Sequence, residues 1–400
     1  MPPAHSARLS ILLLILAQVA VLSVWFSATA ILPALALRNG LAPSDLAELA
    51  TATQAGFVFG ALLLATTGLS DRIDPRRLFA VSSAATAAAN LALLWVSPDT
   101  LSALLSRFLV GALLAGVYPV GLKIAMGWSR QNRGLLASLL VGALTLGSAS
   151  PQLVTYLGGA DPQYVLVTTS LAACIGGCLI LCIGLGPYHA MSGEFSPRSL
   201  TLVIREPALR RAYFGYFGHM WELYAYWAWA PTALLASGIL GDTLNGTNDT
   251  ASQAAGLTFL AMCLGAFACL PSGRLADRLG KARVARWLLL GSGVCALVAA
   301  VSVSFSPTVF LIAVLGWGMF VIPDSPLFSA MVADAAPADK AGSLLTLQTA
   351  LGFALTIVSV QTTPLIAEEF GWNWAISLLA IGPFIGAFLV SSKDRGGKPN

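Results

Sequence analysis

The sequence predicts an all-α membrane protein in which twelve transmembrane helices form two six-helix halves. Three observations predict this fold class: an apolar composition, a regular series of long apolar runs, and a loop motif that occurs twice. Of the 400 residues, 57% are hydrophobic and only 10% are charged, with a mean hydropathy of +0.79. Soluble domains carry about 25% charged residues. The composition therefore excludes a cytosolic enzyme, a nucleic-acid-binding protein and a disordered protein.

Twelve apolar runs have the length of about 20 residues that a helix needs to cross a bilayer. In order, as helices 1 to 12, they are 10–36, 46–69, 78–96, 101–128, 134–158, 164–187, 211–237, 254–273, 283–304, 308–332, 341–366 and 372–391. Backbone groups in hydrocarbon must be paired within the protein, which leaves helices or a closed barrel. A barrel requires period-two alternation, and these runs lack it. The first run is also too long for a secretory signal, so we expect helix 1 to be retained.

The basic residues predict the orientation in the membrane. With the amino terminus assigned to the cytoplasm, all but three of the 22 Lys and Arg residues lie on the cytoplasmic side. Arg38 lies on the opposite side, and Arg107 and Lys123 lie within helix 4. Acidic residues show no such bias, which agrees with a rule that concerns Lys and Arg. We therefore expect a multi-pass plasma membrane protein, in the inner membrane of a bacterium, with both termini in the cytoplasm.

A repeated loop motif divides the chain into two halves. The loop after helix 2 reads TGLSDRIDPRR over 67–77, and the loop after helix 8 reads GRLADRLGK over 273–281. Their Leu, Asp and Arg recur at a constant offset of 206 positions (69 to 275, 71 to 277, 72 to 278). Such internal duplication is an architecture of secondary transporters. We predict an N-terminal half over 1–190, a cytoplasmic linker over 191–210 and a C-terminal half over 211–400.

These motifs resemble those of the major facilitator superfamily. The second loop is similar to the family's cytoplasmic signature G-x-L-a-D-R-x-G-[RK], whereas the first has Thr67 and Asp74 in place of the two Gly residues. Helix 4 resembles the family pattern R-F-x-x-G…P…W through Arg107-Phe108, Gly111, Gly116, Pro119 and Trp128. The resemblance implies the twelve-helix fold of that family and a transport activity.

The resemblance also implies a conformational latch at the repeated loop. In the family, the Asp and Arg of the signature form a charge relay between helix ends that breaks when the transporter changes state. Carried over, that role falls to Asp71, Arg72, Asp277 and Arg278, which would hold the outward-open state. The alternative is a pair of hairpin turns whose basic residues only set the topology, since exposed ion pairs contribute little energy.

Charged residues inside the spans are the strongest functional signal. A charge at the bilayer centre costs about 2.5–3.5 kcal/mol, so it usually faces a cavity or a partner. Such residues occur only on helices 4, 7 and 10: Arg107, Lys123, Glu222 and Asp324, joined by His219. The resemblance implies that helices 1, 4, 7 and 10 line a central cavity. We therefore expect these residues to bind the substrate or couple its movement to protons.

Helix 7 concentrates polar and aromatic residues on one face. At about 100° per residue, the residues that share this face are Tyr216, His219, Glu222, Tyr226 and Trp229. We predict that this face lines the substrate site, with Glu222 as a protonatable carboxylate. Trp221 and Tyr224 point the other way and are expected to be packing residues. In the alternative interpretation, His219 and Glu222 satisfy one another within a helix-packing network.

Helices 10 and 4 each supply a further candidate. Helix 10 reads IPDSP over 322–326, and its two prolines permit a break that places Asp324 to accept a proton or a substrate cation. Alternatively, Asp324 only caps the next helical piece. On an ideal helix 4, Arg107 and Lys123 lie about 160° apart. We prefer Arg107, with Tyr118 on its face, and expect Lys123 to extend towards the cytoplasm.

The leading functional prediction is a proton-coupled secondary transporter that moves a small organic anion or zwitterion by alternating access. One alternative is proton-driven efflux of amphipathic compounds, although 147–155 departs from the G-P-x-x-G-G pattern of antiporters. A second is a membrane sensor or a lipid-modifying enzyme. The chain has no P-loop, and we see no nucleophile–base pair or metal cluster. We therefore expect no enzyme, no cofactor and no metal. We expect a monomer that interacts with the lipid bilayer, a small-molecule substrate and protons, and not with nucleic acid.

Overall fold

The computed structural model describes residues 7–40, 42–129, 133–189, 195–241, 248–337 and 339–391. Twelve long helices follow one another in the predicted order. Their bounds are Ala7–Leu22 with Ser27–Asn39 (helix 1), Ala47–Thr67 (2), Pro75–Ala92 (3), Leu101–Leu114 with Tyr118–Met126 (4), Arg133–Leu157 (5), Pro162–Leu179 (6), Pro207–Ala236 (7), Asn248–Leu279 (8), Lys281–Ser302 (9), Pro307–Val321 with Ser325–Ala335 (10), Ala341–Phe370 (11) and Trp372–Ser391 (12). Helix 8 departs most from its prediction and extends beyond its apolar run at both ends.

Helix 7 differs in character from the other eleven. Among the described residues, the other eleven have the length and apolar composition of a membrane span. Helix 7 has the length, with 30 residues, but carries His219, Glu222 and many aromatic residues. It packs against helices 8, 10, 11 and 12, so most of its side chains are buried in protein. A helix enclosed in this way does not need the apolar surface that lipid demands.

Helices 1, 4 and 10 are each interrupted part-way along their length. Helix 4 breaks at Ala115–Val117 and helix 10 at Ile322–Asp324, and each second piece carries proline in its first turn. The first pieces of these two helices begin 206 positions apart (101 to 307), the offset of the loop motif. Both breaks are therefore part of the internal repeat. The break in helix 1 contains no proline. There the Ser23 hydroxyl donates to the Ala20 carbonyl at 2.7 Å.

The two halves meet along helices 2 and 11 and along helices 5 and 8. We call the face that bears the two DR loops the basic face and the other the opposite face. Among the described residues, three hydrogen-bonded contacts join the halves near the opposite face. Ser44 donates to Glu368 from its backbone N at 2.8 Å and from its Oγ at 2.5 Å. Thr51 Oγ1 donates to Gln361 Oε1 at 2.9 Å, and Ser252 Oγ donates to the Tyr156 carbonyl at 3.1 Å. The protein is therefore held closed on this face.

Helices 2 and 4 cross at a contact that admits only glycine. A Cβ atom at Gly111 would lie 1.9 Å from the Thr53 carbonyl oxygen, which is backbone and cannot move aside alone. We expect Gly111→Ala to destabilise the folded protein by about 1–3 kcal/mol, because the helices must separate. Thermal unfolding of the detergent-solubilised protein measures this, with Gly142→Ala as control, since nothing lies within 4 Å of a Cβ there. Equal melting temperatures for the two variants would contradict the packing described.

Candidate functional site

The break in helix 10 places Asp324 beside His219 of helix 7. Asp324 Oδ1 lies 2.8 Å from His219 Nδ1, and the two side chains are 1% and 0% exposed. Asp324 occupies the N-cap position of the second helical piece, yet its side chain makes no capping hydrogen bond. The capping interpretation is therefore not what the structure shows, and His219 pairs with Asp324 rather than with Glu222. The break brings together a carboxylate and an imidazole that are distant in sequence.

His219 borders a small cavity between the two halves. The cavity has a volume of about 40 Å³ and is lined by helices 4, 5, 7, 10 and 11. Its polar lining consists of hydroxyl groups and this imidazole: Tyr118, Thr145, Tyr216, His219, Ser325, Ser329 and Thr349. Tyr118 and Tyr216 thus lie at the cavity. Within the described parts of the chain, His219 Nε2 is buried and has no hydrogen-bond partner.

Six aromatic rings, which we call the aromatic cluster, close the space between the halves next to this cavity. They are Trp25, Phe26 and Phe57 of the N-terminal half and Tyr224, Trp227 and Phe353 of the C-terminal half. Ring centroids of Phe57 and Phe353 lie 4.6 Å apart, and those of Trp25 and Phe353 5.3 Å apart. Tyr224, Trp227 and Phe353 also line the cavity. The C-terminal rings of the cluster therefore border the cavity, and the N-terminal rings pack against them.

Glu222 lies outside this cavity, contrary to the face predicted for helix 7. Its carboxylate is fully buried within the C-terminal half, where it accepts hydrogen bonds from Ser292 Oγ and Trp317 Nε1, both at 2.7 Å. Tyr226 and Trp229 likewise bond to backbone carbonyls inside this half, at 2.8 Å each.

Tyr224, which we expected to be a packing residue, lines the cavity instead. The angular pattern identified residues that share a face. It could not identify the neighbour of that face, because helix 7 has protein on every side.

Arg107 lies inside the N-terminal half and does not line the cavity. Its guanidinium is fully buried, and its Nη1 lies 3.4 Å from Ser27 Oγ. Ser27 Oγ in turn donates to Asn90 Oδ1 at 2.7 Å, and Asn90 Nδ2 donates to Ser170 Oγ at 2.9 Å. Across the described residues, Arg107 Nε and Nη2 have no hydrogen-bond partner. Lys123 extends towards the basic face, where Nζ donates to the Ser70 carbonyl at 3.1 Å.

Removing the buried charge of Arg107 is expected to stabilise the folded protein. Arg107→Met removes a desolvated cation whose donors are not satisfied, so unfolding should require about 1–3 kcal/mol more. Arg107→Lys keeps the charge and should not give this gain. Thermal unfolding of both variants in detergent is the measurement. A lower melting temperature for Arg107→Met than for wild type would show that the guanidinium stabilises the resting protein.

The repeated DR loops differ in structure between the halves. In the first copy, Asp74 caps helix 3 by accepting from the Arg76 backbone N at 2.9 Å and from its Nη2 at 2.7 Å. The hydrogen-bonded Arg76 guanidinium lowers the pKa of the Asp74 carboxyl. The second copy has Gly280 at this position, with φ of +92°, a left-handed conformation that favours glycine. The departure of the first copy from the family pattern thus replaces a turn glycine with a helix cap.

The latch residues of these loops show no cross-helix ion pair in the parts of the chain that the structure describes. Arg72, Asp277 and Arg278 are exposed. At the second loop, the ion pair that the structure shows joins Lys281 and Asp334 instead. The side chain of Asp71 lies outside the described residues. The latch therefore stays a prediction. No group of three or more His, Cys, Asp or Glu side chains among the described residues could hold a metal ion.

The comparisons with known proteins agree on one family. The family model for the Major Facilitator Superfamily matches residues 14–360 and 212–398. The xylose transporter XylE from E. coli, in a partially occluded inward-open conformation, is similar at a TM-score of 0.70 and 12% identity, over 96% of this chain and 98% of that chain. The nucleoside transporter NupG is similar at a TM-score of 0.70 and 13% identity, over 96% and 99%.

A third solved structure extends the similarity to a human protein. The human organic anion transporter MFSD10 is similar at a TM-score of 0.69 and 15% identity, over 97% of this chain and 100% of that chain. No curated protein matches the chain. At these identities the solved structures show the shared fold and leave the substrate open, whereas the family model covers most of the chain. The chain therefore belongs to the major facilitator superfamily and is a multi-pass membrane transporter rather than an enzyme.

Proposed function

We propose that this protein is a proton-coupled secondary transporter in which the His219–Asp324 pair carries the proton. One observation supports this above all others: a buried imidazole and a buried carboxylate lie 2.8 Å apart at a helix break that borders the cavity between the halves. Among the described residues that line the cavity, His219 is the one with an ionisable group other than tyrosine. Ionisable residues inside a membrane usually mark ion or substrate pathways.

The chemistry of the pair suits reversible proton binding. With a neutral imidazole, the pair carries one negative charge, that of Asp324. With a protonated imidazole, the pair is an ion pair of zero net charge. Asp324 lies 2.8 Å from Nδ1, so we propose that the proton enters and leaves at Nε2, the ring nitrogen that does not face the carboxylate. Because an unpaired carboxylate is costly to bury, loss of the proton favours a rearrangement around the pair.

The anchoring of helix 10 indicates which part moves. Its first piece is fixed to helix 7 by the Trp317–Glu222 hydrogen bond and by the bond from Tyr226 to the Val314 carbonyl. Its second piece begins beside the His219–Asp324 contact and packs against helix 5 of the other half. Separation of the pair would free the second piece to turn at the break while the first stays in place. We propose this as the local step in alternating access.

The lining of the cavity bears on the choice of substrate. The expectation of an organic anion or zwitterion depended on Arg107 and Lys123 lying near the acidic groups. Both side chains lie away from the cavity, so its lining offers no Arg or Lys among the described residues.

We also propose that the basic face is cytoplasmic, that the protein resides in a bacterial inner membrane, and that it works as a monomer. The distribution of Lys and Arg supports the orientation.

The proposal is tested with purified protein in liposomes. A thermal-shift screen against organic acids, amino acids, sugars and cationic dyes identifies ligands, because a ligand that binds the folded state raises the melting temperature. The ligand found is then supplied to proteoliposomes that contain a pH-sensitive dye. We expect its movement to change the lumenal pH and an imposed pH gradient to drive its accumulation. Transport that neither moves protons nor responds to the gradient would contradict proton coupling.

A further inference from the structure

We infer that the cavity takes a monovalent organic cation with an apolar or aromatic body, and that this cation and a proton replace one another at the His219–Asp324 pair. The inference rests on the proposed function, because it assigns a second occupant to the proton-carrying pair. Three observations carry it: the sign of the charge at the cavity, the aromatic surface next to it, and the position of both at the contact between the halves.

While Asp324 is ionised, the charge at the cavity is negative or zero in both protonation states of His219. Asp324 supplies the carboxylate, and the imidazole of His219 neutralises it only when protonated. Among the described residues, the other titratable groups that interact electrostatically with Asp324 are Glu222, Cys269 and Tyr216. None of these can become positive. An anion entering this space would therefore meet no unpaired cation, and it would lose its hydration without compensation.

The basic residues of the spans cannot reverse this sign. Arg107 lies within the N-terminal half, where it bonds to Ser27, and Lys123 is bonded to a loop carbonyl towards the basic face. The wall that the N-terminal half contributes consists of Tyr118, Val141, Leu144 and Thr145. It offers hydroxyl groups and apolar surface, and the residues named here carry no charge. The charged side chain at the cavity therefore belongs to the C-terminal half.

The aromatic cluster adds an attraction for cations. The quadrupole of an aromatic ring gives the face of the ring a negative potential. A cation within about 6 Å of the ring centroid is therefore stabilised. Rings of both halves meet here, with Phe26 and Tyr224 stacked at 5.8 Å and Trp25 and Tyr224 at 6.1 Å. When the halves separate, these faces become available to a flat apolar body. Trp25 Nε1 and Trp227 Nε1 have no hydrogen-bond partner among the described residues and could donate to a polar group of the cargo.

The charge balance sets the stoichiometry of the exchange at one cation for one proton. A site with a neutral imidazole and an ionised Asp324 carries one negative charge, which one monovalent cation or one proton can neutralise. Binding of the cation thus releases one proton from His219 Nε2, and protonation releases one cation. One cation moves one way while one proton moves the other, so no net charge crosses the membrane. Transport should respond to a pH gradient and be insensitive to the membrane potential.

The test uses the intact wild-type protein and three aromatic probes of different charge. Ethidium is a permanent monovalent cation, salicylate a monovalent anion, and uridine is uncharged. We expect ethidium to raise the melting temperature in detergent, with weaker binding as the pH falls because protons compete, and we expect no such shift with salicylate or uridine. In proteoliposomes, ethidium should move protons in the opposite direction, at the same rate with and without a potassium diffusion potential. Stabilisation by salicylate or uridine and not by ethidium would overturn the inference.

Failure of this inference is distinguishable from failure of the proposed function. Ethidium that binds and moves without any proton movement would overturn both the exchange and the proton-coupled function. Proton movement driven by salicylate or uridine would leave the coupling intact and overturn the cationic cargo. Asp324→Asn should weaken ethidium binding at least tenfold, and Asp334→Asn, the same change at an exposed site near the end of helix 10, should leave it unchanged. An equal effect of the two variants would count against the site.

Discussion

Asp324→Asn is expected to reduce proton-driven transport by roughly 100-fold. The amide is nearly isosteric with the carboxylate but carries no charge, so a protonated His219 would lose the partner that lies 2.8 Å from its Nδ1. Removing one partner of a buried ion pair costs about 3 kcal/mol or more. This corresponds to a loss of about 100-fold in proton affinity. Uptake driven by an imposed pH gradient in proteoliposomes measures the effect.

Two further variants make this result specific. His219→Gln removes the other partner and should abolish coupling to the same extent. Asp334→Asn changes an Asp of the same helical piece that is 63% exposed and paired with Lys281, and should transport as wild type does. Full proton-driven accumulation by Asp324→Asn, with a normal melting temperature, would show that the pair is not the coupling site.

Glu222→Leu is expected to destabilise the protein by about 2–4 kcal/mol. The carboxylate accepts the Trp317 indole N–H and the Ser292 hydroxyl at 2.7 Å each. Leu leaves the indole N–H buried without an acceptor, and an unsatisfied buried donor costs about 1–3 kcal/mol in addition to the lost bonds. The Ser292 hydroxyl can donate to the Leu289 carbonyl, 3.0 Å away, in place of the lost carboxylate, which limits the loss. Thermal and chemical unfolding in detergent measure the change.

Glu222→Gln separates a positioning role from a proton-carrying role. Its amide oxygen can accept from Trp317 and its NH₂ group can donate to Ser292, so we expect stability within about 1 kcal/mol of wild type. We also expect proton-coupled transport to persist, because Glu222 lies outside the cavity and fixes the first piece of helix 10 to helix 7. Loss of coupling in this variant, with its stability intact, would return Glu222 to the proton-carrying role that the sequence predicted.

The spans and the fold follow from the sequence because lipid imposes a strong constraint. A backbone in hydrocarbon must satisfy its own hydrogen bonds, so each apolar run of sufficient length becomes a helix. The DR loops revealed the duplication, and the segment over 322–326, with its two prolines, indicated the break in helix 10. The break in helix 1 had no comparable signal. It contains neither Gly nor Pro, and the Ser23 hydroxyl bonds to the carbonyl of Ala20 in the preceding turn.

The pairing within the site could not be predicted in the same way. His219 and Glu222 are one turn apart on helix 7, and local spacing favoured their interaction. In the structure, Glu222 instead contacts helices 9 and 10, because Ser292 and Trp317 donate to its two carboxylate oxygens. The internal repeat did contain one signal from which two residues of the site could have been related. Tyr118 and Asp324 are related by the offset of the loops (118 to 324), and each lies at the break of its helix.

The most direct test of the central claim is the number of protons released when a cation binds. Ethidium is added to the purified wild-type protein in weakly buffered detergent solution with a pH-sensitive dye, at several values between about pH 5 and pH 9. Exchange at the His219–Asp324 pair predicts a maximum near one proton released per ethidium bound, and no release by Asp324→Asn. Binding of ethidium without proton release at any pH, or with proton uptake, would contradict a shared site for the cation and the proton.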